Sequence, residues 1–170
     1  MMFLFLLCVV ALWLFYGYTS ATNAYNETLK CFGFIDRELN NRYKLINEII
    51  AGSHNCIEKE KPIIEDISNL QNNAVTLGLN PEFINRRMAF DKELEIKSEQ
   101  LISAIKENEQ IVSNEQIKNN IMAYEHACNK IIKLKQDFNI SAKKLRKAVD
   151  VFPSSLMARL NKIKSFDYIK

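Results

Sequence analysis

No charged side chain occurs before Glu27, and that absence divides the chain more sharply than anything it contains. Beyond that point glycine and proline are nearly missing: Gly33, Gly52 and Gly78 with Pro62, Pro81 and Pro153 are all there is. So few turn residues, with no window alternating apolar and polar at period two, exclude a sheet and predict an all-α chain. The four cysteines, Cys8, Cys31, Cys56 and Cys128, follow no metal or redox spacing, which excludes a disulfide framework and suits a reducing compartment. There is no glycine-rich phosphate loop, no nucleophile beside a base and no carboxylate and histidine cluster. Neither a catalytic residue nor a cofactor is expected, and the chain is read as a non-enzyme.

What stands before Glu27 is an apolar block from Met1 to Tyr18. As a helix it is roughly 27 Å long, just enough to cross a hydrocarbon core. Trp13, Tyr16 and Tyr18 gather at its end, where amphipathic rings favour the headgroup level. A cleaved signal peptide is the competing reading, with Thr19-Ser20-Ala21 as the small-residue site, but the basic leader of such a peptide is absent. Lys30 and Arg37 follow the block closely while only the α-amino group precedes it, so the body is expected in the cytosol. Residues 1–22 are thus read as a single-pass anchor and 23–170 as one helical-bundle domain with one core.

Steps of three and four from Phe32 pass through Ile35, Leu39, Arg42, Ile46, Ile49, Ser53, Cys56, Glu60, Ile63, Ile67, Leu70, Ala74 and Leu77 without losing register. This coiled-coil-like stripe predicts one long helix over 27–78, about 78 Å, kinked at Pro62 and serving as a stalk. A break between Gly52 and Pro62 is the alternative. Gly78 and Asn80-Pro81-Glu82 then mark a tight turn into a helix over 81–111 with Phe83, Phe90, Leu94, Leu101 and Ile105 on its apolar face. Ser113 and Gln116 form a capping box for a third helix to Asp150, striped by Ile117, Ile121, Tyr124, Cys128, Ile131, Lys135, Phe138, Ala142, Leu145, Val149 and Phe152. Pro153 stops it, and Ser154 or Ser155 caps a short last helix ending near Ile163. The architecture expected is an antiparallel bundle of three long helices plus a short one.

The stretch Ile35-Asp36-Arg37-Glu38-Leu39-Asn40-Asn41-Arg42-Tyr43-Lys44-Leu45-Ile46, together with Lys135, Phe138-Asn139 and Phe152-Pro153-Ser154-Ser155-Leu156-Met157-Ala158, resembles the LemA family. The likeness runs from Phe32 to Tyr168. Departures include Asn47-Glu48 where Pro-Asn is usual, Lys59 in place of the histidine before the acid at Glu60, and Leu145-Arg146 at a second Tyr-Asn. The resemblance implies a single N-terminal span in a bacterial inner membrane, a short extracytoplasmic amino end and a cytosolic helical bundle. It implies no established catalytic activity.

His54 and Cys56, with His126 and Cys128, are the one set of residues suggestive of zinc, but residues two apart on a helix point away from each other, so buried thiols are the expectation and no metal site is assigned. Arg42, Glu60 and Lys135 interrupt stripes otherwise made for burial. Burying an unpaired charge costs several kcal/mol. Glu60 is therefore expected to accept from Lys135 or Arg42, with Asp36 as the alternative acid, against the bland reading that all three extend to solvent. From Lys130 to Lys170 there are eleven Lys or Arg and three Asp or Glu. The densest run, Lys143, Lys144, Arg146 and Lys147, is a solvated face or a site for an acidic protein partner, and threading the helices puts it far from the anchor. With no aromatic residues interleaved, nucleic acid is not expected. The function expected is that of a membrane-tethered interaction scaffold for a protein partner. The alternatives are a membrane-shaping protein that forms homo-oligomers and, less readily, an enzyme.

Overall fold

The computed structural model describes residues 2–53, 58–78, 81–108 and 113–169. Among them there is no strand. The order is α1 (Met2–Ser53), a 3-10 turn (Glu58–Glu60), α2 (Lys61–Thr76), a second 3-10 turn (Pro81–Phe83), α3 (Ile84–Lys106), α4 (Glu115–Asp150) and α5 (Ser154–Leu160). The all-α expectation holds, but the helix expected over 27–78 does not. α1 ends at Ser53, and Pro62 sits in the first turn of α2, where its fixed φ and missing N–H fit a helix start. α2 then runs back beside α1, with the Gln71 side-chain amide 3.5 Å from the Tyr43 carbonyl it donates to. The stripe keeps its register because both helices turn apolar faces to a shared core, in which Ile46, Ile49 and Ile67 are wholly buried. The kink at Pro62 and the stalk built on that helix fall with it.

The described residues gather into two compact units, Met1–Phe34 with Leu134–Lys170, and Ile35–Lys133. No structural boundary marks residue 22, since α1 passes straight through it.

The unit Ile35–Lys133 is an up-down-up-down bundle of α1, α2, α3 and α4. Asp36 meets Arg87 and Arg42 meets Asp91, so α1 and α3 ascend together. Lys130 reaches Glu38 while a Cβ on Gly52 would lie 3.1 Å from Ile117, so α4 descends. Its core joins Leu101, Ile102 and Ile105 of α3 to Ile117, Ile121 and Tyr124 of α4. Of the face expected for α3, Leu94, Leu101 and Ile105 are buried, joined by Ile84, Arg87, Asp91 and Ser98, whereas Phe83 is exposed and Phe90 half-buried. Gly78 has φ +57°, the left-handed conformation expected of a residue ending a helix. α4 is capped by Asn114 rather than Ser113, because the Asn114 carboxamide oxygen accepts from the N–H groups of Gln116 at 3.0 Å and Ile117 at 3.4 Å. The expected cap residue Asn80, and His54 with Cys56, lie outside the described residues.

The other unit pairs the first part of α1 with the last part of α4, antiparallel, and fills their groove with the C-terminal tail. Phe32 meets Phe138 edge-on, Phe166 of the tail stacks on Tyr25, and the Asn139 side chain exchanges hydrogen bonds of 2.7 and 2.8 Å with the backbone of Ile169. Past Pro153 the chain turns into α5 against α1 at Gly17. A Cβ on Gly17 would stand 3.0 to 3.1 Å from the Pro153 ring and the backbone of Pro153 and Ser154. Only glycine allows that approach without displacement. Gly17→Val should therefore destabilise this unit by about 1–3 kcal/mol, read as a lower melting temperature of the detergent-solubilised protein, whereas Gly33→Ala, in open space, should not.

Candidate functional site

Two features could carry function: an ionic centre inside the four-helix unit, and the apolar and basic end of the other.

Arg42 has no exposed surface, so water cannot stabilise its charge. Its guanidinium pairs with the Asp91 carboxylate, which is equally buried, and lies 3.5 Å from Glu95 one turn further along α3. The same group donates to the Asp91 carbonyl at 3.4 Å and approaches the Cys128 sulfur at 3.8 Å. Tyr43 donates to the Asp91 carboxylate at 3.4 Å. One turn and a half along α1, Asp36 pairs with Arg87, whose other nitrogen donates to the Gly78 carbonyl at 3.0 Å. Burial opposes ionisation of Arg42, but neighbouring Asp91 more than compensates and holds the guanidinium above its ordinary pKa. Tyr43, Tyr124 and Cys128 are pushed up, in each case chiefly by burial, and stay protonated.

The pairing thus differs from the one expected. Arg42 is neutralised by Asp91 and Glu95, not by Glu60, and Asp36 by Arg87. Glu60 ends the 3-10 turn ahead of α2, and Lys135 belongs to the other unit, half-buried. Asp91 and Arg87 were missed because Phe83 and Phe90 took their place on a face that otherwise, at Leu94, Leu101 and Ile105, is buried as expected. The signal was there: 84, 87, 91, 94, 98, 101 and 105 alternate steps of three and four. Of the zinc-like pairs, His126 is exposed while Cys128 is half-buried beside Arg42.

At the other end, the side chains of Met2 to Leu12 lie open, Met2, Phe3 and Phe5 being 87, 75 and 72 % exposed. By length and composition, an 18-residue window near the start of α1 is apolar enough to cross a membrane. The basic run on α4 packs beside the stretch of α1 that follows the apolar block rather than far from it, a correction to the expected threading. Lys144 pairs with Glu27 at 3.1 Å, and Arg146 stacks over Tyr168 at 4.9 Å and approaches Asp167. Two of the four cations are thus engaged within the unit, while Lys143 and Lys147 project into solvent.

The sequence model of the LemA family matches residues 31–170, which include both ionic pairs and the Phe152 to Ala158 corner. The chain belongs to the LemA family. Neither a curated protein nor a solved structure matches it. The family's opening motif here supplies Asp36, Arg42 and Tyr43 to the ionic centre, so in this LemA chain those positions hold α1 against α3.

Arg42→Met should leave Asp91 buried without its cation and lower stability by about 3–5 kcal/mol in denaturant titration, with Arg42→Met/Asp91→Leu recovering most of it. An unchanged midpoint for the single variant would refute this role. Glu38 supplies a pH test: burial raises its pKa, but hydrogen bonds from Lys130, at 2.6 Å, and Asn41 outweigh this and lower it. A lowered carboxylate pKa stabilises the fold above the ordinary 4.5 and loses that contribution as pH falls through the folded-state value. The stability gap between the native chain and Lys130→Met should accordingly narrow below pH 4.5.

Proposed function

We propose that the chain is a non-enzymatic scaffold tethered in a bacterial inner membrane by the start of α1, with its body on the cytosolic side offered to a protein partner. One observation carries this: from Met2 to Tyr16 the large apolar side chains of α1 find almost no partner in the folded protein, and burial starts at Gly17. An apolar surface of that extent calls for a lipid or protein covering. The block's length and its terminal Trp13, Tyr16 and Tyr18 favour lipid.

Cleavage at Thr19-Ser20-Ala21 fits this chain poorly, because the site lies within a continuous helix and Ala21 is wholly buried. The cytosolic side is favoured by Lys30 and Arg37, which closely follow the span. The scaffold reading draws on how the buried charges are used, Arg42 with Asp91 and Arg87 with Asp36 fixing helix positions rather than facing an open cleft.

Alkaline carbonate washing of native membranes should leave the full-length chain in the pellet, with its first residues intact by mass spectrometry. A C-terminal tag should resist protease until the membrane is opened. A soluble chain starting near Thr22 would end the tether reading, and a tag digested in intact cells would reverse the orientation.

A further inference from the structure

The corner between α4 and α5 leaves apolar residues in the open at the very end of the anchor. Val151, Phe152, Leu156 and Leu160 are 60, 57, 42 and 68 % exposed. In a helix of seven residues, Leu156 and Leu160 lie one turn apart on the same side, while Ser154 and Ala158 face inward. The corner's height along α1 is fixed by two contacts: Pro153 packs where a Gly17 side chain would be, and the Phe152 ring meets the Trp13 ring edge-on at 4.7 Å. Phe152 therefore stands level with a residue inside the apolar block, about 6 Å nearer its start than Gly17. Lys147, Arg159, Lys162 and Lys164, near the corner in the chain, are all exposed, with Asp150 and Asp167 as the nearby acids.

We infer that this corner is a second membrane contact: Val151, Phe152, Leu156 and Leu160 enter the headgroup and upper acyl region of the leaflet that α1 crosses, and the surrounding cations meet acidic headgroups. The inference rests on the reading that α1 enters a bilayer. The occupant follows from continuity, since a lipid that covers Trp13 at that height also covers the ring lying against it. Apolar side chains rimmed by lysine and arginine are what shallow interfacial segments present, penetrating about 5–10 Å. A protein partner on the same patch would have to displace lipid from the neighbouring face of α1.

Tryptophan emission separates the possibilities, because Trp13 is the one tryptophan in the chain. The full-length protein is reconstituted in phosphatidylcholine and phosphatidylglycerol vesicles that carry a nitroxide either near the headgroup or deep on the acyl chain. In the unaltered protein Trp13 should lose emission to a lipid nitroxide, which tests the tether by itself. In Trp13→Phe/Phe152→Trp and, separately, Trp13→Phe/Leu160→Trp, emission should be lost to the headgroup-proximal nitroxide much more than to the deep one. Trp13→Phe/Ile140→Trp should lose none, since Ile140 lines a groove with Cys31 and Phe34, about 20 Å along α1 from Gly17. Quenching of Trp13 with none at either corner position would overturn the inference and leave the tether standing. No quenching of Trp13 would remove both, and quenching at all positions alike would show that the label reports no depth and defeat the inference. Should Phe152→Trp disturb the ring contact and fail to fold by circular dichroism, the Leu160 variant decides.

Discussion

A guanidinium shut away from water has to be neutralised where it stands, and in this protein that requirement aligns the helices of the larger unit. Arg42 meets Asp91 and Glu95, two acids one turn apart on α3, so a slide of α1 along α3 by a single turn would trade a full pair for a partial one. The Asp36 and Arg87 pair repeats the constraint with the charges exchanged between the helices. A slide that brought Arg42 beside Arg87, or Asp36 beside Asp91, would set like charges together in a medium that screens them weakly. Apolar stripes alone tolerate such slides, because one leucine or isoleucine layer resembles the next. The ionic pairs remove that degeneracy, at the cost of a large loss when either partner is missing.

α1 passes through three surroundings without a break: no protein cover at its start, then α4 and the tail, then the four-helix core. The side chains follow these surroundings. An all-round apolar surface gives way at Gly17 to a half-buried helix, and from Ile35 to a stripe whose a and d positions are wholly buried. Gly17 and Pro153 mark the first change, since there the start of α5 approaches the α1 backbone closely enough to crowd any side chain larger than hydrogen.

The stripes on α1 and α4 were legible because apolar spacing reports directly which face is buried; Phe32, Ile35, Leu39, Ile46, Ile49, Ile117, Ile121, Ile131, Phe138 and Leu145 are all inside. Continuity was not legible. Two helices separated by a turn whose length happens to preserve the heptad phase look like one, and Pro62 fits a helix start as well as a kink. Part of the face of α3 was misread for a related reason. Charged residues at buried positions count against a stripe when only hydrophobicity is scored, although their spacing is the same. Arg42 was recognisable as a buried charge, but its partner was not, because the pairing depends on which helices become neighbours once α2 runs back beside α1.

The placement of the C-terminal cations sharpens what the positive charges mean for a tethered chain. In a chain tethered as proposed, orientation would be decided as the first segment inserts, when only Lys30 and Arg37 lie within reach of the span and the C-terminal half has not yet been made. Lys143, Lys147, Arg159, Lys162 and Lys164 come too late in the sequence to take part. Their contribution belongs to the folded protein: each cation held near an acidic leaflet adds about 1 kcal/mol of attraction, screened by salt. A thin charge bias near the span and a rich one far along the sequence are therefore not in conflict. In a chain tethered as proposed, the first would set which side the body is made on, and the second, once α4 folds back on α1, would hold the α4–α5 corner against the surface on that side.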